Sequence, residues 1–174
     1  FLKKLNTATA AIGVSSLIRC TPEKSLPDSS PSPVQTPRKK GRMTLRTTPT
    51  TGDKVSLLGY GCMRWFALRD KETGIIDQEA VNRLVDYAIE HGVNYFDTAP
   101  VYCDGECERV TGIALNRHPR DKWYVAAKIS NLSKSQWSRE ETLKMYENSF
   151  KELQVDYIDY LLMHGIGMGG MEEL

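Results

Sequence analysis

The sequence has little of what usually announces a function. Its formal net charge is +1, with 23 Lys and Arg against 22 Asp and Glu. There is no basic excess to neutralise phosphates, so the charge gives no support for nucleic-acid binding. Cysteine is scarce. Cys20, Cys62, Cys103 and Cys107 are too few and too scattered for a disulfide scaffold, and no CxxC pair occurs. Long apolar runs are missing as well. The softest candidate, residues 5–18, is rich in Ala, Thr, Ser and Gly and is too short and too weakly apolar for a membrane span. What remains is an ordinary globular composition, 40% hydrophobic and 26% charged over 174 residues, with room for one domain and something extra.

The something extra lies at the start. A basic opening, Phe1-Leu2-Lys3-Lys4, precedes the soft apolar run and a polar follow-on. That is a secretory signal pattern, and it resembles the tail of a bacterial twin-arginine leader whose arginines would precede Phe1. Residues 1–20 are therefore expected to be a signal-like leader. The alternative is a disordered or amphipathic segment in a cytoplasmic protein. Cys20 follows the run where a lipidation cysteine would stand, but Ile18-Arg19 is a poor match to the small residues such a site needs. Residues 21–42 carry Pro27, Pro31, Pro33 and Pro37 among Ser and Lys, too few apolar groups to repay ordering. They read as a flexible linker. The chain starts on Phe1 rather than Met and stops at Leu174, so it is treated as a piece of a longer protein.

The domain is expected from residue 43 to 174. Residues 43–46 and 54–57 alternate about a Thr/Pro/Gly turn and predict a hairpin. Leu57-Leu58-Gly59-Tyr60-Gly61-Cys62-Met63-Arg64 is an apolar run studded with glycines, where a backbone or ligand approaches closely. Asp77 opens a helix with Ala80, Val81, Leu84, Val85, Ala88 and Ile89 at helical spacing, and Gly92 closes it. Residues 93–97 form a strand, and residues 105–115 a helix with Cys107, Val110 and Ala114 on one face. Residues 123–129 form a strand broken only by Lys128. Ser138-Arg139-Glu140-Glu141 caps a helix whose apolar face is Leu143, Tyr146, Phe150 and Leu153. A last strand, residues 157–163, ends at His164. Strand and helix alternate, and the strands are nearly continuously apolar. Both features predict a parallel sheet with helical crossovers, buried on both faces. The fold class is α/β, the N-terminal half of a (β/α)8 barrel, which typically needs ~250 residues. Such a half leaves open strand edges, so the segment is not expected to be a stable enzyme alone.

Four polar residues sit where successive strands end: Asp97, Tyr102 in the following loop, Lys128 and His164. In a parallel fold the carboxyl ends of the strands are where sites are built. A lysine inside an apolar strand needs a partner, and Asp97 on the neighbouring strand is the natural one. Each residue also has a plainer reading. Asp97 and Lys128 can be a structural pair, Tyr102 a surface aromatic, His164 a satisfied strand-end histidine. All four together, in this order, favour a site. Cys103 and Cys107 stand four apart and admit metal binding or a redox pair, but Cys107 falls on an apolar helix face, which favours packing. His91 suits a helix end, and His118 lies in a loop; neither has ligand spacing.

Phe96-Asp97-Thr98-Ala99-Pro100-Val101-Tyr102-x-x-Gly105-x-x-Glu108 resembles the aldo/keto reductase signature. Gly59-Tyr60-Gly61-Cys62-Met63-Arg64 is similar to that family's first strand, and Tyr160-Leu161-Leu162-Met163-His164 to its fourth. The resemblance implies a (β/α)8 barrel whose bottom is capped by the N-terminal hairpin. It implies reduction of aldehyde or ketone carbonyls with NADP(H). Asp97, Tyr102, Lys128 and His164 would form the catalytic tetrad, with Tyr102 as general acid. Gly61, Cys62, Met63 and Asp97 would line the cofactor's seat, and no metal is implied. A Lys128 ammonium beside the phenol would favour its giving up a proton. The glycine-rich stretch from Gly165 to Gly170 and the leader look most like exported bacterial members, some of which carry a C-terminal iron–sulfur segment. That implies the twin-arginine export machinery as a partner and a periplasmic address. The competing reading is a non-catalytic nicotinamide-binding module or an inactive truncated product.

Overall fold

The computed structural model describes residues 41–165. The expected leader, nearly all of the linker and the glycine-rich stretch beyond Gly165 lie outside the described residues. The domain opens with the expected hairpin, β1 (Leu45–Thr47) and β2 (Lys54–Ser56), paired antiparallel. Four parallel strands follow in sequential order: β3 (Tyr60–Gly61), β4 (Tyr95–Asp97), β5 (Tyr124–Ile129) and β6 (Tyr160–Met163). Helices α1 (Gln78–Glu90), α2 (Cys107–Leu115) and α3 (Arg139–Leu153) connect them. Each crossover steps one strand in the same direction. Right-handed crossovers then place every helix on one face of the sheet.

The helix ends follow from local chemistry. Asp77 accepts a hydrogen bond from the Ala80 amide (3.0 Å) at the start of α1, and Gly92 after its end takes φ 86°. Ser138 accepts from the Glu141 amide (3.1 Å), while Glu141 itself turns to Lys144 (2.9 Å). The reciprocal capping box forms one turn earlier, between Ser133 and Gln136. The first strand is shorter than its apolar run suggests. Only Tyr60 and Gly61 pair with β4, and Cys62–Leu68 coils into a 3₁₀ helix that buries Cys62 and Trp65.

Core packing fills the layer between sheet and helices with Phe96, Val125 and Ala127 from the strands and Val81, Val85, Val110, Ala114 and Leu115 from the helices. The opposite face carries Tyr95, Tyr124 and Tyr160. Their rings contact one another with Tyr160 in the middle, 5.4 Å and 6.1 Å from its neighbours. They lie toward the amino ends of the strands, beneath Asp97 and Lys128, by the register Tyr95↔Tyr124, Ala126↔Tyr160 and Lys128↔Leu162.

The hairpin is fastened to that amino end. Asn94 donates to the Lys54 carbonyl (2.8 Å) and accepts from the Ser56 amide (2.7 Å), and its own amide donates to Ser56 Oγ (3.0 Å). Tyr160 Oη donates to Asp53 (2.9 Å) from the neighbouring turn. Burial and that carboxylate push the Tyr160 phenol up to about 12. The hairpin therefore caps the bottom of the sheet, and the strand carboxyl ends face away from it.

Candidate active site

At that far end the structure brings the four polar residues together. Lys128 is the last but one residue of β5 and its side chain is about nine-tenths buried. Its ammonium donates to Asp97 Oδ1 at 2.5 Å and to the Thr98 carbonyl at 2.8 Å. Asp97 ends β4, with its side chain about one-third exposed. The chain then turns through Thr98 to Val101 into Tyr102, whose ring centroid lies 4.8 Å from Lys128 Nζ. Here the ammonium faces both a carboxylate and the electron-rich face of a phenol ring.

His164 follows β6 directly. Its backbone amide donates to the Ile129 carbonyl (3.0 Å), continuing the sheet by one residue. Its ring stands edge-on to Tyr102, centroids 5.4 Å apart. Partial burial and the Lys128 charge both lower the pKa of the imidazole, against a smaller opposing effect of Asp97. The ring is thus neutral at neutral pH. The side chains of Asp97, Tyr102, Lys128 and His164 form one continuous cluster across three strands. Asp53 and the hairpin, at the other end, take no part.

The residues suggested for the cofactor divide. Gly61 lies in register with Asp97, and a Cβ added there would meet no atom within 4 Å, so the rim beside Asp97 is open. Met63 is exposed. Cys62 departs from the expectation: its side chain is wholly buried in the core, and burial pushes its thiol up to about 12. Its side chain is a packing group because the chain coils into the 3₁₀ helix there instead of extending.

Cys103 and Cys107 also differ from the expectation of packing alone. Cys107 is in the core, and it is disulfide-bonded to Cys103, with Cα atoms 5.3 Å apart. The bond closes the loop that starts at Tyr102. Within that loop Cys103 and Asp104 both take positive φ (54° and 58°), and Arg69 binds the Cys103 carbonyl (2.8 Å) and the Asp104 and Glu106 carboxylates (3.3 Å each). His118, which has no ligand spacing in the sequence, pairs with Asp86 (2.7 Å) beside Arg117. Among the described residues no group of His, Cys, Asp and Glu is placed to hold a metal ion.

Two residues near the cluster escaped the sequence reading. Ser130, fully buried just past β5, lies 2.7 Å from His164 Nδ1 through its Oγ. Glu108, within the signature stretch but given no role, is about 1% exposed on α2, and its Oε1 has no hydrogen-bond partner. Burial foremost pushes its carboxyl up to about 7, with Glu152 also raising it and Ser149 and Lys128 opposing. A lone serine in a small-residue stretch carries no signal in a single sequence. A glutamate three and seven residues before Thr111 and Leu115, on one helix face, could have been flagged as facing inward.

A strand-end lysine between a carboxylate and a tyrosine, on a parallel sheet capped below by a hairpin, is the arrangement the sequence resemblance implied. The chain belongs to the aldo/keto reductase family, whose model matches residues 57–168. It is 29% identical over 136 residues to the L-galactose dehydrogenase of Arabidopsis thaliana, covering 76% of this chain and 41% of that protein. It is 30% identical over 120 residues to an aldo-keto reductase of Bacillus subtilis, covering 66% of this chain and 35% of that one. A solved aldo-keto reductase from Bacillus halodurans superposes with a TM-score of 0.55 at 29% identity, over 70% of this chain and 40% of that one. The chain thus spans about two-fifths or less of the length of these relatives. Its strands and helices are the N-terminal half of a (β/α)8 barrel.

Proposed function

We propose that this chain carries the proton-delivering side of an NADP(H)-dependent reductase of aldehydes or ketones. One observation carries the reading: Lys128 Nζ is held by Asp97 and Thr98 while lying 4.8 Å from the centre of the Tyr102 ring. A buried lysine fixed this way serves a neighbouring phenol better than it serves stability, since an apolar residue would fill the space at less desolvation cost.

In the proposed reaction Tyr102 gives its phenolic proton to the carbonyl oxygen, acting as general acid. Lys128 stabilises the phenolate left behind, and Asp97 holds Lys128 charged and in place. His164, neutral and edge-on to Tyr102, orients the carbonyl between them. NADPH, when bound, supplies the hydride that reduces the carbonyl carbon, so that carbonyl and proton leave as an alcohol. The residues fit such a group: Gly61, in register with Asp97, leaves room where an added Cβ would meet no atom within 4 Å, and Met63 is exposed. The nicotinamide would be held there by Gly61, Met63 and Asp97, with Cys62 contributing only through its backbone.

The experiment is consumption of NADPH by the whole protein with a panel of aldehydes and ketones. Turnover with at least one carbonyl supports the reading; none, with NADPH bound, overturns it. The leader-like residues 1–20 extend the proposal to export into the periplasm by the twin-arginine machinery. Fractionation of cells expressing the whole protein tests that, and recovery in the cytoplasm alone contradicts it.

A further inference from the structure

We infer that Ser130 sets the tautomer of His164, placing its proton on Nε2 so that the ring presents a hydrogen-bond donor to the site. The inference rests on the proposed reductase reading for its use, but not for its geometry.

A buried donor needs an acceptor. The Ser130 side chain is fully buried, and among the described residues His164 Nδ1 is the sole partner of its hydroxyl, at 2.7 Å. Two arrangements fit that distance. In one, Nδ1–H donates to Oγ, and the serine proton is left in the protein interior with no acceptor. In the other, Oγ–H donates to the Nδ1 lone pair, and the contact leaves no donor unspent. An unmade buried hydrogen bond is costlier than the gain from making one, so the second arrangement prevails. A neutral imidazole with Nδ1 as acceptor has its proton on Nε2. Nε2 has no partner among the described residues, while the ring is anchored by its backbone bond to Ile129 and by the edge contact with Tyr102. Of the groups around it, burial foremost and then the Lys128 charge from β5 lower its pKa, Asp97 from β4 opposes them, and Tyr102 from the following loop meets it edge-on, so the ring favours its neutral form.

The consequence is directional. A carbonyl oxygen brought to Tyr102 needs donors, and Nε2–H is one. The other tautomer would aim a lone pair at that oxygen and repel it. Ser130 is thus a positioning residue: it acts through His164 and does not itself meet the substrate.

Long-range proton–nitrogen correlation NMR on the protein tests this directly. His164 is one of three histidines, and its signals are assigned with His164→Gln. The expected result is a protonated Nε2 and an unprotonated Nδ1 in the unaltered protein. Ser130→Ala should shift the ring toward the Nδ1–H form, and Ser130→Thr should restore the original pattern. If the protein is active, Ser130→Ala should lower turnover about tenfold, the worth of one oriented hydrogen bond, with little change in NADPH affinity. A protonated Nδ1 in the unaltered protein overturns the inference whether or not either variant folds. Should the tautomer be as stated but no carbonyl be reduced, the assignment stands and the reductase reading fails.

Discussion

Lys128 Nζ lies 2.5 Å from Asp97 Oδ1, and the two come from adjacent parallel strands joined by α2. The pair combines a nearly buried ammonium with a carboxylate that water still reaches. Removing one partner leaves the other differently placed. Asp97→Ala leaves the lysine only the Thr98 carbonyl and the Tyr102 ring and should cost about 2 kcal/mol, less than for a fully buried pair because Asp97 is partly solvated. Lys128→Met removes the charge that needed a partner and should cost less than Asp97→Ala. The Asp97→Ala, Lys128→Met double variant should recover part of the loss. Urea unfolding of the four proteins measures this. A Lys128→Met variant less stable than Asp97→Ala would contradict the view that the pair is kept for chemistry rather than stability.

Glu108 makes stability depend on pH in an unusual direction. Its carboxyl is raised from 4.5 to about 7 in the folded chain, chiefly by burial. Below the ordinary carboxylate range both folded and unfolded forms hold the proton, and nothing is lost. As pH rises from there through about 7 the unfolded chain releases its proton readily while the folded chain resists. Stability falls across that window, by about 3 kcal/mol in full. Glu108→Gln keeps the shape without the charge. It should leave stability near pH 4 unchanged and raise it near pH 8. Equal slopes of stability against pH in both proteins would refute the assignment.

Gly112 is where α2 meets the end of α3. A Cβ there would lie 2.4 Å from the Leu153 carbonyl oxygen, which is backbone and cannot turn aside. Gly112→Ala should therefore destabilise the domain by about 1–3 kcal/mol despite its gain in helix propensity. Thermal unfolding checks the sign; a higher melting temperature would show that the helices separate freely.

Asn94 ties the hairpin to the bottom of the sheet through two side-chain hydrogen bonds. Asn94→Ala should cost about 1–3 kcal/mol and increase hydrogen exchange at Lys54 to Ser56, while sparing the site at the opposite strand ends. Exchange unchanged in the hairpin would mean that Tyr160 and Asp53 suffice to hold it.

The alternation of strands and helices was plain in the sequence because each strand is a short apolar run between turn signals. Asp97, Lys128 and His164 stood out for a related reason: each is polar where an apolar run stops. What escaped was side-chain geometry between distant segments. Asn94 reads as an unremarkable polar residue in a strand, yet it binds the hairpin some forty positions earlier. Arg120 lies between the Trp123 and Tyr157 rings (4.1 and 3.9 Å from their centroids) and holds Asp159 (2.6 Å), a joint between β5 and the approach to β6 that no local pattern reveals. The apolar stretch after Gly61 looked like continuing strand. The 3₁₀ helix wins there because Trp65 reaches the core and donates to Thr111 (2.9 Å) only if the chain coils.

In the proposed reaction Tyr102 moves the proton, and its phenolic oxygen is the atom to remove. The direct measurement is the rate of NADPH-dependent carbonyl reduction by the whole protein carrying Tyr102→Phe, beside its affinity for NADPH. The ring contacts to Lys128 and His164 survive this change, so the fold and the cofactor seat should too. The expected result is a loss of roughly a hundred- to ten-thousand-fold in turnover with NADPH affinity preserved. Turnover within a few-fold of the unaltered protein would contradict it.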